Sequence, residues 1–252
     1  MPNARRTGSF SWRLGATALG LAALAGCAFH APLSDGRVAA IVASPDRSAA
    51  DRENDARRKP AEVLTFIGVR PGMVALDLSA GRGYTTELVA RAVGAGGKVY
   101  AQTAAATSPA LAGRASNPAT SNIVPVVRRF DDPVPPEVAS GGLDLVTLMF
   151  NYHDFGALGV DRARMNHAVF NALKRGGMYV IADHSGRNGT GISEAGTLHR
   201  IEEAFVVAEV QAAGFRLAAS GNFLRNPSDP RDRNMPEPPM PKDEFVLKFV
   251  KP

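Results

Sequence analysis

The stretch VALDLSAGRGYTTELVARAVGAGGKVY, residues 74–100, decides the fold of this chain. Its pattern predicts a buried strand from Met73 to Leu78, a turn at 79–83, a helix at 85–93 and a second strand from Lys98. Elements in this order form half of a doubly wound α/β unit, in which ligands bind outside the carboxyl ends of the strands. The sequence therefore predicts a ligand site at the turn after the first strand.

The composition of this turn narrows the class of site. Gly81 and Gly83 let the backbone approach a ligand closely, because glycine has no β-carbon, and Asp77 places an acid just before the turn. A dinucleotide-dependent oxidoreductase requires G-x-G-x-x-G here, with an acid at the end of the second strand. Thr86 stands where the last glycine is required, and the second strand ends without an acid. These departures disfavour a nicotinamide-dependent oxidoreductase.

Strands and helices alternate along the rest of the chain, without an internal repeat or a second domain. This alternation predicts a parallel sheet with helices on both faces. The further strands that we expect are Ile123–Val127, Leu143–Phe150, Met178–Ala182, Phe215–Phe223 and Glu244–Val250.

Four connecting segments complete the prediction. We expect a helix that ends in the cations and glycines of 174–177, where such residues favour helix termination. A single long helix is expected from Leu198 to Ala212. Residues 103–121 should be a loop or a weak helix, and the proline-rich segment 226–242 should be a surface excursion or a lid.

The N-terminus has the pattern of an export signal. Three arginines precede an apolar run at 14–25, which is shorter than the roughly 20 residues that a membrane-spanning helix needs. The run ends in Leu24-Ala25-Gly26-Cys27, which resembles a bacterial lipobox, so Cys27 is the expected lipidation site. The alternative is an ordinary secretory signal with an incidental cysteine.

This interpretation sets the domain boundaries and the location of the protein. Residues 1–26 are the expected signal peptide, 27–47 a tether and 48–252 the folded domain. The protein is then an exported lipoprotein on the periplasmic face of the cell envelope, held to the membrane through Cys27. Ala28 after the cysteine favours sorting to the outer membrane.

Charge and cysteine content exclude some functions. Removal of the signal peptide takes away three arginines and lowers the formal net charge from +5 to +2, so the basic balance does not indicate nucleic-acid binding. Cys27 is the only cysteine, which excludes an intramolecular disulfide.

The turn resembles the first motif of class I S-adenosylmethionine-dependent methyltransferases, D-x-G-x-G-x-G, with Ser79 in place of the first glycine. In detail, residues 45–252 resemble a family of exported, predicted methyltransferases with an N-Y-H-D motif after the fourth strand. The motifs that carry the resemblance are Asn151–Asp154, Asp183–His184, Leu198–Ile201 and Leu224–Pro227.

The resemblance implies a Rossmann-like, seven-stranded sheet in three layers, with an antiparallel last strand, and S-adenosylmethionine as the cofactor. Thr103 departs from the larger class, which has a carboxylate there for the ribose hydroxyls. Asp77 could instead cap the next helix, and Asp131 or Asp132 could be turn residues before Pro133. The implied cofactor residues are Asp77, Ser79, Gly81, Gly83, Gln102, Thr103, Asp131, Asp132 and Asn151.

The resemblance also places the reaction chemistry at the rim of the sheet. His153 is the candidate base, with Asp154 beside it, because histidine has a pKa near neutral pH. Tyr152, His184 and His199 are weaker candidates for acceptor contacts. Two acids and a histidine (Asp154, Asp183 and His184) could alternatively hold a divalent metal that orients a diol, although no metal is required.

The sequence therefore predicts a methyltransferase for a small-molecule acceptor. The alternative is a non-catalytic ligand-binding lipoprotein that keeps the same fold, since the cofactor is made in the cytosol and the lipobox directs the chain outward.

Overall fold

The computed structural model describes residues 1–4 and 31–252. The predicted lipidation site, Cys27, and most of the predicted signal peptide lie outside these residues. Among the described helices, none is both long enough and apolar enough to cross a membrane.

A seven-stranded sheet forms the centre of the molecule, in the order β3-β2-β1-β4-β5-β7-β6. The first five strands of this order are parallel, and β7 runs antiparallel to both of its neighbours, as expected. The strands are β1 (Val74–Leu78), β2 (Lys98–Thr103), β3 (Ile123–Val127), β4 (Leu143–Met149), β5 (Leu173–His184), β6 (Arg216–Gly221) and β7 (Glu244–Val250).

Helices cover both faces of this sheet. The helices are α1 (Asp35–Val42), α2 (Ala49–Arg58), α3 (Pro60–Ile67), α4 (Tyr84–Val93), α5 (Pro109–Ser116), α6 (Asp154–Ala157), α7 (Arg162–Ala172), α8 (Ala195–Leu198) and α9 (Glu203–Ala212). Short 3-10 turns lie at Pro118–Thr120 and Pro136–Val138.

The core consists of two apolar layers, one on each side of the sheet. Successive strand residues alternate between the layers, so that Leu76 and Leu78 pack on one side and Ala75 on the other. One layer contains residues of α7 and α9, and the other contains residues of α1, α3 and α4. Burial on both faces explains why the central strands are almost continuously apolar.

The folded unit begins earlier than the sequence indicated. Residues 27–47 were expected to be a tether, but α1 lies within that range. Val38 and Ile41 of α1 are buried and pack in the same apolar layer as Leu64 and Ile67 of α3. The spacing of these two apolar residues is that of one helix face, and burial against α3 stabilises the helix.

The expected helix end at 174–177 is also different in the structure. Helix α7 ends at Ala172, and β5 begins at Leu173, which pairs with Leu143 of β4. Gly176 donates its N–H to the carbonyl of Lys251, and Lys251 donates to the carbonyl of Gly177. The two glycines therefore extend the sheet next to the chain end and do not cap the helix.

The long helix expected from Leu198 to Ala212 is interrupted. Helix α8 ends at Leu198, His199 has a left-handed backbone with φ of 51°, and α9 begins at Glu203. Ile201 donates its N–H to the carbonyl of His184 at 3.0 Å, and fully buried Arg200 pairs with Asp229 at 2.8 Å. These long-range contacts outweigh the helical periodicity of the segment.

Candidate functional site

A cavity of about 760 Å³ opens at the carboxyl ends of β1 and β4. It lies between α2, the N-terminus of α4 and α5, where ligands bind in sheets of this type. Four predicted cofactor residues line it, namely Asp77, Ser79, Gly81 and Asn151. The remaining five predicted cofactor residues, Gly83, Gln102, Thr103, Asp131 and Asp132, are not part of its lining.

Asp77 is buried at the wall of this cavity and connects three elements. Its carboxylate accepts hydrogen bonds from the hydroxyl of Thr86 in α4 at 2.5 Å and of Thr147 in β4 at 2.7 Å. Burial raises the pKa of Asp77 to about 6, although both hydrogen bonds act in the opposite direction. Thr86, which breaks the dinucleotide motif, is thus one of the residues that hold Asp77.

The two glycines of the turn have different roles. Gly81 has φ of 56°, and a β-carbon there would meet only the carbonyl of Ser79, at 3.9 Å. Gly83 has φ of 84°, and a β-carbon there would lie 2.9 Å from side-chain carbons of both Leu111 and Arg114. Gly81 therefore faces open space at the cavity, whereas Gly83 makes room for α5 and not for a ligand.

Gln102 is a structural residue, contrary to the prediction that it contacts the cofactor. Its fully buried side chain accepts a hydrogen bond from the backbone N–H of Ser79 at 2.9 Å and donates to the carbonyl of Arg128 at 2.6 Å. Thr103 donates its hydroxyl to the carbonyl of Ala105 at 2.8 Å. Both side chains are engaged within the protein, so neither one presents a polar group to the cavity.

Ser79 adopts the backbone that a glycine in this motif could supply. Its φ of 58° is in the left-handed region, and the bond from its N–H to Gln102 holds it there. Ser79 thus takes, at the position of the first motif glycine, the left-handed backbone that glycine adopts most readily.

Asp131 and Asp132 form local ion pairs. Asp131 accepts two hydrogen bonds from the guanidinium of Arg129, at 2.8 and 2.7 Å, which lower the pKa of this carboxyl. Asp132 accepts one from Arg128 at 2.5 Å. These pairs favour the alternative in which both acids are turn residues before Pro133.

Three arginines that the sequence analysis did not identify line the cavity, namely Arg58, Arg82 and Arg114. Arg58 at the end of α2 lies with its guanidinium carbon 3.9 Å from the ring centre of Phe150, and it forms no ion pair with any described residue. Burial, and then the adjacent Arg57, lower its pKa to about 10. Arg114 of α5 pairs with Asp51 at 2.7 Å and with Glu87. The only sequence signal for Arg58 was its place in the last turn of a charged helix.

Beside the cavity, His153 and its neighbours form a second polar cluster. Asp183 at the end of β5 contacts His153 Nδ1 at 2.6 Å and accepts the backbone N–H of His153 at 2.8 Å. His153 Nε2 lies 3.1 Å from Asp154 Oδ1, and His199 Nδ1 lies 3.4 Å from the same oxygen. Asn151 donates to the other oxygen of Asp154 at 3.0 Å and so links this cluster to the cavity.

The histidines of this region are in different electrostatic environments. Burial disfavours the charged form of His153, but the hydrogen bond and charge of Asp183 outweigh burial and raise its pKa. Burial lowers the pKa of His184, whose Nδ1 lies 2.9 Å from Glu244. This Nδ1 is buried without a properly aligned hydrogen bond. The side chain of His199 is 48% exposed.

Tyr152 was wrongly predicted to contact the acceptor. Its ring is fully buried in the core, where its hydroxyl donates to Glu209 at 2.9 Å and accepts a hydrogen bond from Asn166 at 2.8 Å. The metal set suggested by the sequence is also incorrect. Asp183 is fully buried and bonds to His153 and to the backbone of His184, and among the described residues the group of close potential metal ligands is His153, Asp154 and His199.

No protein-family model and no curated protein matches the sequence. Several solved structures are similar in fold. A SAM-dependent methyltransferase from Aquifex aeolicus has a TM-score of 0.60 at 15% identity, over 87% of this chain and 100% of that chain. The (4+2)-cyclase SpnF has a TM-score of 0.58 at 16% identity, over 90% and 89% of the two chains. A geranyl diphosphate methyltransferase in complex with SAM has a TM-score of 0.56 at 13% identity, over 89% and 98%.

These similarities confirm the predicted fold class. The chain has the seven-stranded α/β fold that SAM-dependent methyltransferases share, with its antiparallel last strand. At identities of 13–16% the comparison establishes the fold and leaves the activity to be argued from the site.

The two turn glycines provide a matched pair of substitutions. Gly81→Ala is expected to lower the free energy of unfolding by about 1–2 kcal/mol, the cost of a left-handed backbone for a residue with a β-carbon. Gly83→Ala adds a clash with α5, worth about 1–3 kcal/mol more. Urea unfolding of both variants measures the difference. Equal losses would contradict the assignment of Gly83 to the packing of α5.

Asp77 predicts a pH dependence of stability. Its pKa is about 6 in the folded protein, above the ordinary value of 3.8, so the folded state binds the proton more tightly. The stability that Asp77 contributes is therefore full below about pH 4 and is lost between pH 4 and 6, by about 3 kcal/mol. Asp77→Asn should remove this loss. The free energy of unfolding of the wild type minus that of the variant should therefore become more negative from pH 4 to pH 6. Parallel urea-unfolding profiles from pH 4 to 7 would contradict the prediction.

Proposed function

We propose that the protein is an S-adenosylmethionine-dependent methyltransferase that acts on a small-molecule acceptor. The observation that carries the proposal is the cavity beside Asp77 and Gly81, at the start of α4. Its volume is in the range of ordinary small-molecule sites, about 300–1,000 Å³. Its position at the carboxyl ends of β1 and β4 is where doubly wound sheets bind their ligands.

The residues around the turn fit the methionine end of the cofactor. The cofactor carboxylate would bind Arg58, whose guanidinium lines the cavity without a carboxylate partner among the described residues. Backbone N–H groups at the start of α4 would add to this binding, since helix N-termini favour anions. Asp77 lies on the same wall and would attract the ammonium group. The cofactor supplies an activated methyl group when it is bound.

The acceptor would be activated by the cluster next to the cavity. Methyl transfer requires mainly the alignment of the reacting atoms, and a base is needed only where the acceptor loses a proton. His153 is the candidate base, since Asp183 fixes its ring and raises its pKa. Asp154 is the more exposed partner, and Asn151 connects it to the cavity.

A second candidate function is ligand binding without methyl transfer. The observation that favours it is the end of β2, where Gln102 and Thr103 bond internally and no carboxylate is available for the ribose hydroxyls. Hydrogen bonds to a charged group are roughly twice as strong as neutral ones, so the lack of a carboxylate weakens the case for the usual nucleoside. SpnF, which has a similar fold, is named a (4+2)-cyclase and not a methyltransferase.

Arg58 gives the direct test of the proposed cofactor site. Calorimetric titration of the protein with S-adenosylmethionine and S-adenosylhomocysteine should show binding, and Arg58→Ala should weaken it by about tenfold or more. This loss corresponds to one charged hydrogen bond of about 1.5–3 kcal/mol. Arg57→Ala is the matched control, because Arg57 is the adjacent arginine and does not line the cavity.

Equal affinities of the Arg58→Ala and Arg57→Ala variants would remove Arg58 from the site. Binding of neither cofactor form by the wild type would favour the second candidate function. The second candidate function would also be favoured if S-adenosylmethionine binds but no S-adenosylhomocysteine is released when small-molecule acceptors are added.

We also propose that the chain is an exported lipoprotein anchored through Cys27, from the apolar run and the lipobox-like LAGC sequence. In a Gram-negative host, Cys27→Ser should abolish the membrane-bound, detergent-extractable pool. Ala28→Asp should keep that pool but move it to the inner membrane. Unchanged membrane retention of Cys27→Ser would contradict lipidation.

A further inference from the structure

We propose that His153, Asp154 and His199 form a binding site for a divalent transition-metal ion. One ligand atom from each residue lies within 4.8 Å of the others. The residues come from distant parts of the chain, two after β4 and one after α8. The ligands would be His153 Nε2, an Asp154 carboxylate oxygen and His199 Nδ1.

The spacing of these atoms suits a shared metal ion. Nitrogen and oxygen ligands lie about 2.0–2.2 Å from a transition metal such as zinc. Two such ligands at tetrahedral or octahedral angles are then roughly 3.0–3.5 Å apart. The Asp154 oxygen lies 3.1 Å from His153 Nε2 and 3.4 Å from His199 Nδ1. Both separations lie within the range that a common ion requires.

The ring of His153 is already oriented as a metal ligand. Its Nδ1 faces Asp183 at 2.6 Å, and Asp183 is held in turn by the backbone N–H groups of His153 and His184. An Nδ1–H donated to this carboxylate leaves the lone pair on Nε2, which is the tautomer that binds a metal. Metal-binding histidines usually donate their second ring N–H to a carboxylate or another acceptor in this way.

His153 Nε2 and Asp154 lie side by side and are not aligned as donor and acceptor. The pair is close enough for a charge contact at 3.1 Å, yet the direction of the ring N–H does not meet the carboxylate as a hydrogen bond. Asn151 meanwhile fixes the other oxygen of Asp154 at 3.0 Å. The carboxylate is therefore held beside the histidine lone pair, in the arrangement of two ligands of one ion.

His199 is held in place by buried contacts on its C-terminal side. Its left-handed backbone, with φ of 51°, is uncommon for a residue with a β-carbon. The next residue, Arg200, is fully buried and donates to the carbonyl of Ser185 at 3.0 Å and to Asp229 at 3.1 Å. These bonds fix the break between α8 and α9 and place the ring of His199 next to Asp154.

The donor set indicates the class of metal. Two imidazole nitrogens and one carboxylate suit Zn²⁺, Fe²⁺, Co²⁺ or Ni²⁺, whereas Mg²⁺ and Ca²⁺ favour oxygen ligands. Asp154 and His199 have side-chain exposures of 31% and 48%, so solvent can deliver the ion and a further ligand. If the proposed function holds, that further ligand is an oxygen of the acceptor, such as a phenol or a diol, and the bound ion takes the place of His153 in promoting loss of the acceptor proton.

The test is metal titration of the full chain in a Cys27→Ser background, so that no thiol competes. Zn²⁺ binding is measured by calorimetry and Co²⁺ binding by its visible absorption, with one ion expected per chain. His199→Asn should weaken binding by about tenfold or more, and asparagine tolerates the left-handed backbone. Asp154→Asn is a second variant with the same expected loss.

His167→Asn and His184→Asn are the matched controls. His167 is exposed on α7, and His184 is the other histidine of this rim. Both controls should bind the metal with the affinity of the parent protein. Equal affinity in all variants, binding lost in His184→Asn but kept in His199→Asn, or no stoichiometric binding by the parent protein would overturn the site.

Titration of the same preparations with S-adenosylmethionine separates this proposal from the proposed function. Metal binding without cofactor binding supports the metal site and contradicts the methyltransferase. Cofactor binding without metal binding contradicts the metal site and leaves the proposed methyltransferase supported.

Discussion

The buried carboxylate of Asp77 is the interaction around which the candidate site is built. It joins β1, β4 and α4 through the hydroxyls of Thr86 and Thr147. A buried acid is costly unless it is paired or hydrogen-bonded, and two neutral donors offset only part of this cost, as its raised pKa indicates. The fold therefore keeps an incompletely stabilised acid at the wall of the cavity, which is typical of functional positions.

The turn after Asp77 depends on side chains from other elements. Gln102 of β2 accepts a hydrogen bond from the N–H of Ser79. Gly83 leaves space for Leu111 and Arg114 of α5. Helix α5 thus forms one wall of the cavity and shapes the turn at the same time. The consequence is a site whose polar groups come from α2, α4 and α5, together with Asp77 of β1 and Asn151 after β4, while the end of β2 contributes none to its lining.

The break between α8 and α9 is the second place where tertiary contacts control the chemistry. The buried pair of Arg200 and Asp229 ties this break to the proline-rich segment 226–242. Asp229 and Asp243 are themselves buried, and Asp229 accepts the N–H of Asp243 at 2.7 Å. The segment that looked like a surface excursion therefore helps to hold His199 beside Asp154.

The sequence by itself determined the elements whose signals are local. The apolar runs predicted β3 and β7 at their observed limits and the turn with Gly81 at the end of β1, because strand period, burial and turn chemistry are properties of neighbouring residues. The expectation that Asp77 and Asn151 lie at one site came from the motif resemblance, and both residues line the cavity.

Only the tertiary structure decided which way side chains point and which distant groups they meet. It placed Tyr152 in the core, engaged Gln102 internally and folded α1 onto α3. It also brought His199 to Asp154. The physical reason is that buried polar groups must find partners, and those partners come from elements that lie far apart in the sequence.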